Sequence, residues 1–178
     1  GGSESFLPRF SPQGRTVMRG GTWKGDADAC ASGKRMLSAG YGRYENWGLR
    51  AALSPAPGQK LPRELTLDLG DGIKIEFLYV KPGTFVMGGE NEKEGRFECV
   101  EVPKHKVQLT KGFYLGKYEV TQAQYRAAMG SNPGKSTKAA DCPVDNVSEA
   151  DAHQFCIRLS EITGTDARLP TEAEWEYA

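Results

Sequence analysis

The hydrophobic and polar positions of this chain change rhythm several times, and each change predicts an element. Residues 16–18 and 47–53 read as short strands. Between them, residues 24–46 are polar and glycine-rich with little periodicity, which predicts a long loop region. Ser54-Pro55-Ala56-Pro57-Gly58-Gln59-Lys60-Leu61-Pro62 contains three prolines, so it excludes helix and central strand. Beyond it, residues 65–69 predict a strand, Asp71-Gly72 a hairpin turn, and residues 73–80 a partner strand with Ile73, Ile75, Phe77 and Tyr79 on one face. Residues 84–87, 105–110 and 113–119 are further short strands.

Three helices declare themselves by their starts. Thr121 with Gln124 forms a capping box, with Val120 placed to staple onto Tyr125. Ser148 is placed as the N-cap of a helix whose apolar set is Ala152, Phe155, Cys156, Leu159 and Ile162, ending at Gly164. Thr171 and Glu174 form another capping box after Pro170, opening a helix of about two turns. A helix so short must dock to persist, and Trp175 offers a large apolar surface for it. The mixture predicts an α+β fold of short strands and two to three helices.

Composition narrows the class. With 38% hydrophobic and 26% charged residues the chain is neither disordered nor fibrous, and no apolar run approaches the length of a membrane span. Basic and acidic residues balance at 23 each, which argues against nucleic acid as a partner. The balance conceals a division. Residues 1–60 hold nine Lys/Arg and four Asp/Glu, a net of +5, and residues 61–178 hold fourteen and nineteen, a net of −5. The chain opens at Gly-Gly-Ser without an apolar targeting region, so it reads as a processed piece whose compartment, periplasmic and extracellular included, stays open.

Candidate chemistry is sparse. Cys30, Cys99, Cys142 and Cys156 are irregularly spaced with no Cys-x-x-Cys, which excludes ribbon zinc and thioredoxin-like motifs; buried thiols are expected, with one or two disulfides left open. His105 belongs to a strand and His153 to a helix surface, far apart and without ligand spacing, so no metal site is expected. Glu90, Glu92, Glu94, Glu98 and Glu101, with Lys93 and Arg96 among them, read as a solvated loop lacking EF-hand spacing. Gly20-Gly21 and Gly88-Gly89 read as turns, since no Lys-Ser/Thr follows them, and no Gly-x-Ser-x-Gly elbow occurs. The richest stretch is residues 23–47. Trp23, Asp26, Asp28, Lys34, Arg35, Tyr41, Arg43 and Tyr44 combine amphipathic and charged side chains of the kind that suits an adaptable recognition surface, the other reading being a polar loop whose tryptophans face the core.

Five motifs then occur in order: Pro82-Gly83-Thr84-Phe85-Val86-Met87-Gly88, Pro103-Lys104-His105-Lys106-Val107, Phe113-Tyr114-Leu115-Gly116-Lys117-Tyr118-Glu119-Val120-Thr121-Gln122, Pro143-Val144-Asp145-Asn146-Val147-Ser148, and the run from Arg168-Leu169-Pro170 to Tyr177-Ala178. Residues 73–178 thereby resemble the N-terminal half of the formylglycine-generating enzyme (sulfatase-modifying factor) family, which has a C-type-lectin-like fold. Val17-Met18-Arg19-Gly20-Gly21-Thr22-Trp23, Cys30 and Gly48-Leu49-Arg50 resemble the same family's C-terminal end. The order is inverted, and the family's middle portion, with its calcium-associated residues, is absent. The domain reading is therefore a C-terminal-like segment at 1–53, a linker at 54–63 and an N-terminal-like half at 64–178. Two arrangements stay open: a circularly permuted domain, or the tail of one copy joined to the head of the next, with the fold completed by a neighbouring domain or chain.

The resemblance implies a copper-dependent oxidase that converts a substrate cysteine to formylglycine with two cysteines. Here Cys30 matches one and Gly25 stands at the other. A lone thiolate does not make a two-thiolate Cu(I) site, so copper belongs only to the alternative of a sulfatase-maturation oxidase, with Cys30 as its catalytic residue. Cys156 matches a position that, in disulfide-bearing members, pairs with a cysteine where Ala51 stands here. The leading expectation is a non-catalytic binding or scaffold module without a cofactor, presenting residues 23–47 to a protein or carbohydrate ligand. In lectin-like relatives diversified by retroelements, the equivalent segment is the variable ligand surface.

Overall fold

The alternation that predicts a strand over residues 73–80 is present in the computed structural model, which describes residues 15–19, 35–39, 48–88, 104–134 and 140–178, the first two stretches as backbone. Strand β5 (Lys74–Val80) pairs antiparallel with β4 (Glu64–Asp68) and buries Ile75 and Phe77, with Ile73 and Tyr79 half-buried on the same face. The connection is a tight turn in which Gly70, Asp71 and Gly72 all have positive φ. Ile73 N–H donates to Gly70 O at 2.9 Å and Gly70 N–H to Asp68 Oδ1 at 2.8 Å. Glycine and aspartate tolerate that left-handed backbone, which is why Asp-Gly signals the turn.

Five strands form the main sheet in the order β4-β5-β8-β3-β9, where β3 is Ala52–Ser54, β8 is Phe113–Gly116 and β9 is Asp166–Arg168. Every pairing in it is antiparallel. Strand β3, from the part of the chain before the linker, therefore lies between two strands from the part after it. The linker itself leaves the sheet at Ser54, turns with Gln59 N–H on Ala56 O, and is fastened where Tyr114 Oη donates to Pro62 O at 2.8 Å. Tyr114 is held in turn by Tyr79, with ring centroids 5.2 Å apart.

Helix α1 (Gln122–Met129) and helix α2 (Glu149–Thr163) pack on one another under the sheet, with Tyr125 and Phe155 stacked at 5.5 Å. Both start with complete capping boxes, Thr121–Gln124 and Ser148–Asp151, and both end at a left-handed glycine, Gly130 and Gly164. Val120, Val144, Phe77, Phe155 and Leu159 have no exposed surface and form the centre of the core. No helix among the described residues is long and apolar enough to cross a membrane.

Strands β6 (Gly83–Met87) and β7 (His105–Leu109) form a separate antiparallel ribbon, and helix α3 (Glu172–Tyr177) packs against it. The ribbon continues the β5–β8 pairing through one irregularity. Between the pairs Val80↔Phe113 and Gly83↔Leu109, one strand has two residues (81 and 82) and the other three (110 to 112). The extra residue is the device of a β-bulge, which bends a ribbon away from its sheet. Gly112 sits at that bend with Tyr79 Oη only 2.2 Å from where a β-carbon would stand.

The structure corrects several expectations. The loop predicted over residues 24–46 contains a strand, β2 (Arg35–Ala39), paired with β1 (Arg15–Arg19). Met36 and Leu37 are adjacent rather than alternating, so periodicity does not announce it. In place of a strand over residues 47–53, only Ala52–Ser54 has strand pairing; the strand expected over 113–119 stops at Gly116, where the chain leaves β5. Ile162 is 42% exposed rather than part of the apolar face, being roughly 70° from the centre of the α2 stripe at 3.6 residues per turn. Strand β9 is too short for a periodic signature.

Because the Gly112 site is filled by the Tyr79 hydroxyl, Gly112→Ala must push that ring off Tyr114. The expected cost is about 1–3 kcal/mol, the usual range for overpacking, read as a lowered urea midpoint with an unchanged m-value.

Candidate functional site

Four of the motif segments converge on one place. Leu49 O accepts from Val120 N–H, Val120 O accepts from Val144 N–H, both at 2.9 Å, and Thr121 bridges to Pro143. Residues 48–50, 119–121 and 143–145 therefore lie side by side, immediately after the candidate recognition segment ends. Gly48 is required by this closeness. A β-carbon there would lie 3.2 Å from Val144 O and 3.4 Å from Glu119 Oε1.

Arg50 joins the fourth segment. Its Nε donates to Gly116 O at 2.5 Å and its Nη2 to Lys117 O at 3.2 Å, capping carbonyls where β8 ends. Its guanidinium carbon lies 5.7 Å from the centre of the Trp175 ring, within cation–π range. Trp175 on α3 thus finds the partner its apolar area demands, although its buried Nε1 has no acceptor among the described residues. Burial draws the Arg50 guanidinium below its ordinary pKa, opposed by the charge of Glu119. Crowding raises the Glu119 carboxyl above the ordinary range, opposed by Arg50, although Glu119 keeps an exposed face. Desolvation thus outweighs mutual attraction for both groups, so they are not a tight ion pair.

The firmer electrostatic contact lies beside it. Arg168 on β9 makes a bidentate pair with Glu174 of α3, both bonds 2.6 Å, and its Nε donates to Ser54 Oγ at 3.0 Å. Thr171 N–H donates to the same carboxylate. Burial would raise the Glu174 pKa, but the hydrogen bonds and charge of Arg168, with those from Thr171, hold it below the ordinary value. One carboxylate therefore caps α3 and fastens it to β9 and β3.

Of the residues expected to recognise a ligand, Arg35 lies in β2 opposite Arg19. Trp23, Asp26, Asp28, Lys34, Tyr41, Arg43 and Tyr44 lie outside the described residues, as do Gly25, Cys30, Trp47, Cys99 and the acidic run from Glu90 to Glu101. What the structure fixes is their attachment. The β1–β2 pairing sets Arg19 against Arg35, so residues 20–34 leave and return at adjacent positions, and residues 40–47 connect β2 to Gly48. Cys156 is buried as a free thiol, its pKa pushed up to about 12 by burial, and Ala51 belongs to the same core cluster. Cys142 is also free and half-buried. His105 lies in β7, and His153 lies on the exposed side of α2, 3.8 Å from Glu149. Among the described residues no three His, Cys, Asp or Glu side chains gather as metal ligands. Sequence reasoning did not single out Arg50 and Glu119; their meeting depends on contacts across 69 positions, which no local pattern displays.

Two substitutions should move stability in opposite directions. Glu174 has a depressed folded-state pKa, so its contribution is present above the unfolded value of about 4.3 and is lost as pH falls through the folded value. Glu174→Gln is expected to cost roughly 2 kcal/mol at neutral pH by orphaning Arg168, with the deficit shrinking in acid. Glu119 has a raised folded-state pKa, so its ionisation weakens the fold as pH rises through that value. Glu119→Gln should be neutral to stabilising at pH 7, and its advantage should vanish below about pH 4. Urea midpoints across pH for both variants check the two signs.

Comparison with known proteins agrees with the convergence of these motifs. Residues 73–178 match the sulfatase-modifying factor enzyme 1-like domain. The chaperone protein LppX of Paenibacillus barcinonensis is 35% identical in a match covering 37% of this chain and 35% of that protein. Variable protein 1 of Treponema denticola aligns at TM-score 0.46 and 24% identity, covering 57% of this chain and 36% of that one. The chain thus spans about a third of the length of each of these relatives. The match to the domain takes in β5 through α3 and all five ordered motifs, and the α+β architecture accords with it: the chain belongs to the sulfatase-modifying factor enzyme 1-like domain family.

Proposed function

We propose that this protein is a non-catalytic member of its family, a binding or scaffold module that presents residues 23–47 to a protein or carbohydrate ligand. The observation that carries the reading is the donor set: the family's copper chemistry needs two thiolates, and this chain supplies Cys30 with Gly25 at the second position. A soft Cu(I) ion is not held by a glycine, so the residues do not fit the metal. The described framework supports the binding half of the proposal. Both connections that make up the segment start or end on paired or core backbone, at Arg19, Arg35 and Gly48, and loops held by a rigid scaffold are the usual carriers of recognition. LppX carries the name of a chaperone, and that name favours a polypeptide ligand.

Domain organisation follows from the same framework. We read residues 1–53 and 64–178 as one permuted unit joined by the linker 54–63. Insertion of β3 between β8 and β9 supports that reading, because a strand paired on both edges is not a detachable tail.

Two measurements test the function. Incubation with copper and a Cys-x-Pro-x-Arg peptide should give no mass loss from aldehyde formation; turnover abolished by Cys30→Ser would overturn the non-catalytic reading. Suppression of aggregation of a heat-denatured model enzyme, and retention on an immobilised panel of neutral oligosaccharides, report the two ligand classes. Tyr41→Ala combined with Tyr44→Ala should abolish whichever signal is present while leaving the melting temperature unchanged. An unaltered signal would remove residues 23–47 from the binding surface.

A further inference from the structure

The main sheet ends differently at its two edges. Strand β9 forms one of them, and Ser160 Oγ of α2 covers it, accepting from Ala167 N–H at 2.9 Å and lying 3.3 Å from Ala167 O. Strand β4 forms the other edge and has no such cover among the described residues. Tyr79 N–H donates to Arg63 O at 2.9 Å and Leu69 N–H to Ile73 O at 2.8 Å, both in the register of the β4–β5 ladder. Antiparallel pairs alternate between bonded and non-bonded, so residues 63, 65, 67 and 69 bond to β5. Glu64, Thr66 and Asp68 therefore aim their N–H and C=O groups away from it. All three residues are exposed.

The side chains agree with an unfilled strand position. Ile75 and Phe77 on β5 are fully buried, whereas their cross-strand partners Leu67 and Leu65, on the same face, are only half-buried. The apolar layer is thus incompletely covered at β4. On the opposite, exposed face Glu64 and Asp68 flank Thr66. Of the nearby lysines, Lys117 is bridged to Glu76 at 3.1 Å, and Lys74, across from Asp68, makes no ion pair among the described residues. The acids also narrow the choice of occupant. Two copies of β4 pairing antiparallel about Thr66 would set Glu64 against Asp68 twice, and like charges directly opposite are destabilising. An exposed edge is a template for a further strand, and charge along it excludes the wrong ones.

We propose that the β4 edge takes up an extended basic peptide as a further antiparallel strand, at a site separate from residues 23–47. The peptide backbone completes the ladder at Glu64, Thr66 and Asp68. In this mode of recognition main-chain bonds give affinity and alternate side chains give specificity. Peptide side chains directly opposite Glu64 and Asp68 share their face, which calls for Lys or Arg at both positions. The side chains between them fall on the other face, beside Leu65 and Leu67, which calls for apolar residues, β-branched ones suiting a strand best. The pattern admitted is basic, apolar, any, apolar, basic, with the central residue opposite Thr66. An acidic strand of the same shape meets repulsion at both ends.

The test titrates the intact, isotope-labelled chain with a terminally blocked peptide containing Lys-Val-Thr-Val-Lys. Binding should shift the amide resonances of Glu64, Thr66 and Asp68 and slow their hydrogen exchange at least about tenfold, as pairing does to free amides. N-methylation of the peptide at its lysines and threonine, whose amides face β4, should abolish binding, and N-methylation at its valines should not. Glu64→Lys with Asp68→Asn keeps the Oδ1 that accepts from Gly70 N–H, and should weaken binding about tenfold with an unchanged melting temperature. Tyr41→Ala with Tyr44→Ala should leave it unaltered, which separates this edge from residues 23–47. Four results would each overturn the proposal: no binding, equal binding of a peptide with the same residues but adjacent lysines, indifference to where the peptide is methylated, or self-association of the chain through Thr66 in place of peptide uptake.

Discussion

Three residues, Ala52, Leu53 and Ser54, hold the main sheet together. Their strand has β8 on one edge and β9 on the other, and Ala52 and Leu53 are almost wholly buried. Removing it would leave the β4-β5-β8 layer without a connection to β9, and α3 would lose the anchor that Arg168 provides through Ser54 Oγ. So short a strand has little stability of its own. It is held from outside, by ladder bonds on both edges, by the core beneath, and by residues 48–51, whose carbonyls continue the pairing toward Gly116 and Val120. The arrangement makes residues 48–54 a structural requirement of the strands that follow the proline-rich linker.

That dependence explains the order in which the fold was legible. Helix starts were readable because a capping box is a local device: Thr121–Gln124, Ser148 and Thr171–Glu174 form within four residues of themselves and do so as expected. The Asp71-Gly72 turn and the one-sided burial of Ile75 and Phe77 were readable for the same reason. Strand β2 and strand β9 were not, since neither has an alternating pattern and each exists because a partner strand lies beside it. The candidate site divides in the same way. Cys30 and its missing companion at Gly25 could be judged from donor chemistry alone, whereas the meeting of Arg50, Glu119 and Trp175 is a product of tertiary packing. The proposed recognition residues 23–47 were legible only as composition, and the structure contributes the positions from which they depart.

The junction of motifs at Arg50 and Arg168 is better understood as framework than as chemistry. Its strongest contact, the Arg168–Glu174 pair, serves structure: it caps α3 and fastens the helix to β9 and, through Ser54 Oγ, to β3. Burial disfavours the charged forms of both Glu119 and Arg50, and among the described residues no nucleophile stands beside them. What the junction does is fix Gly48, where the proposed recognition segment ends, by crowding it against Val144 O and Glu119. A segment tethered to closely packed backbone loses less entropy on binding than one hung from a mobile loop.

The neutrality of the chain is therefore a poor guide to its surface. Zero net charge arises from a basic piece and an acidic piece of equal size, and the acidic piece is itself uneven. Its ribbon strands hold no acidic residue, and the segment connecting them, residues 89–103, has five glutamates against one lysine and one arginine. With a Debye length of about 8 Å at physiological ionic strength, distant compensating charges are screened from one another, so a partner senses the local sign and not the total.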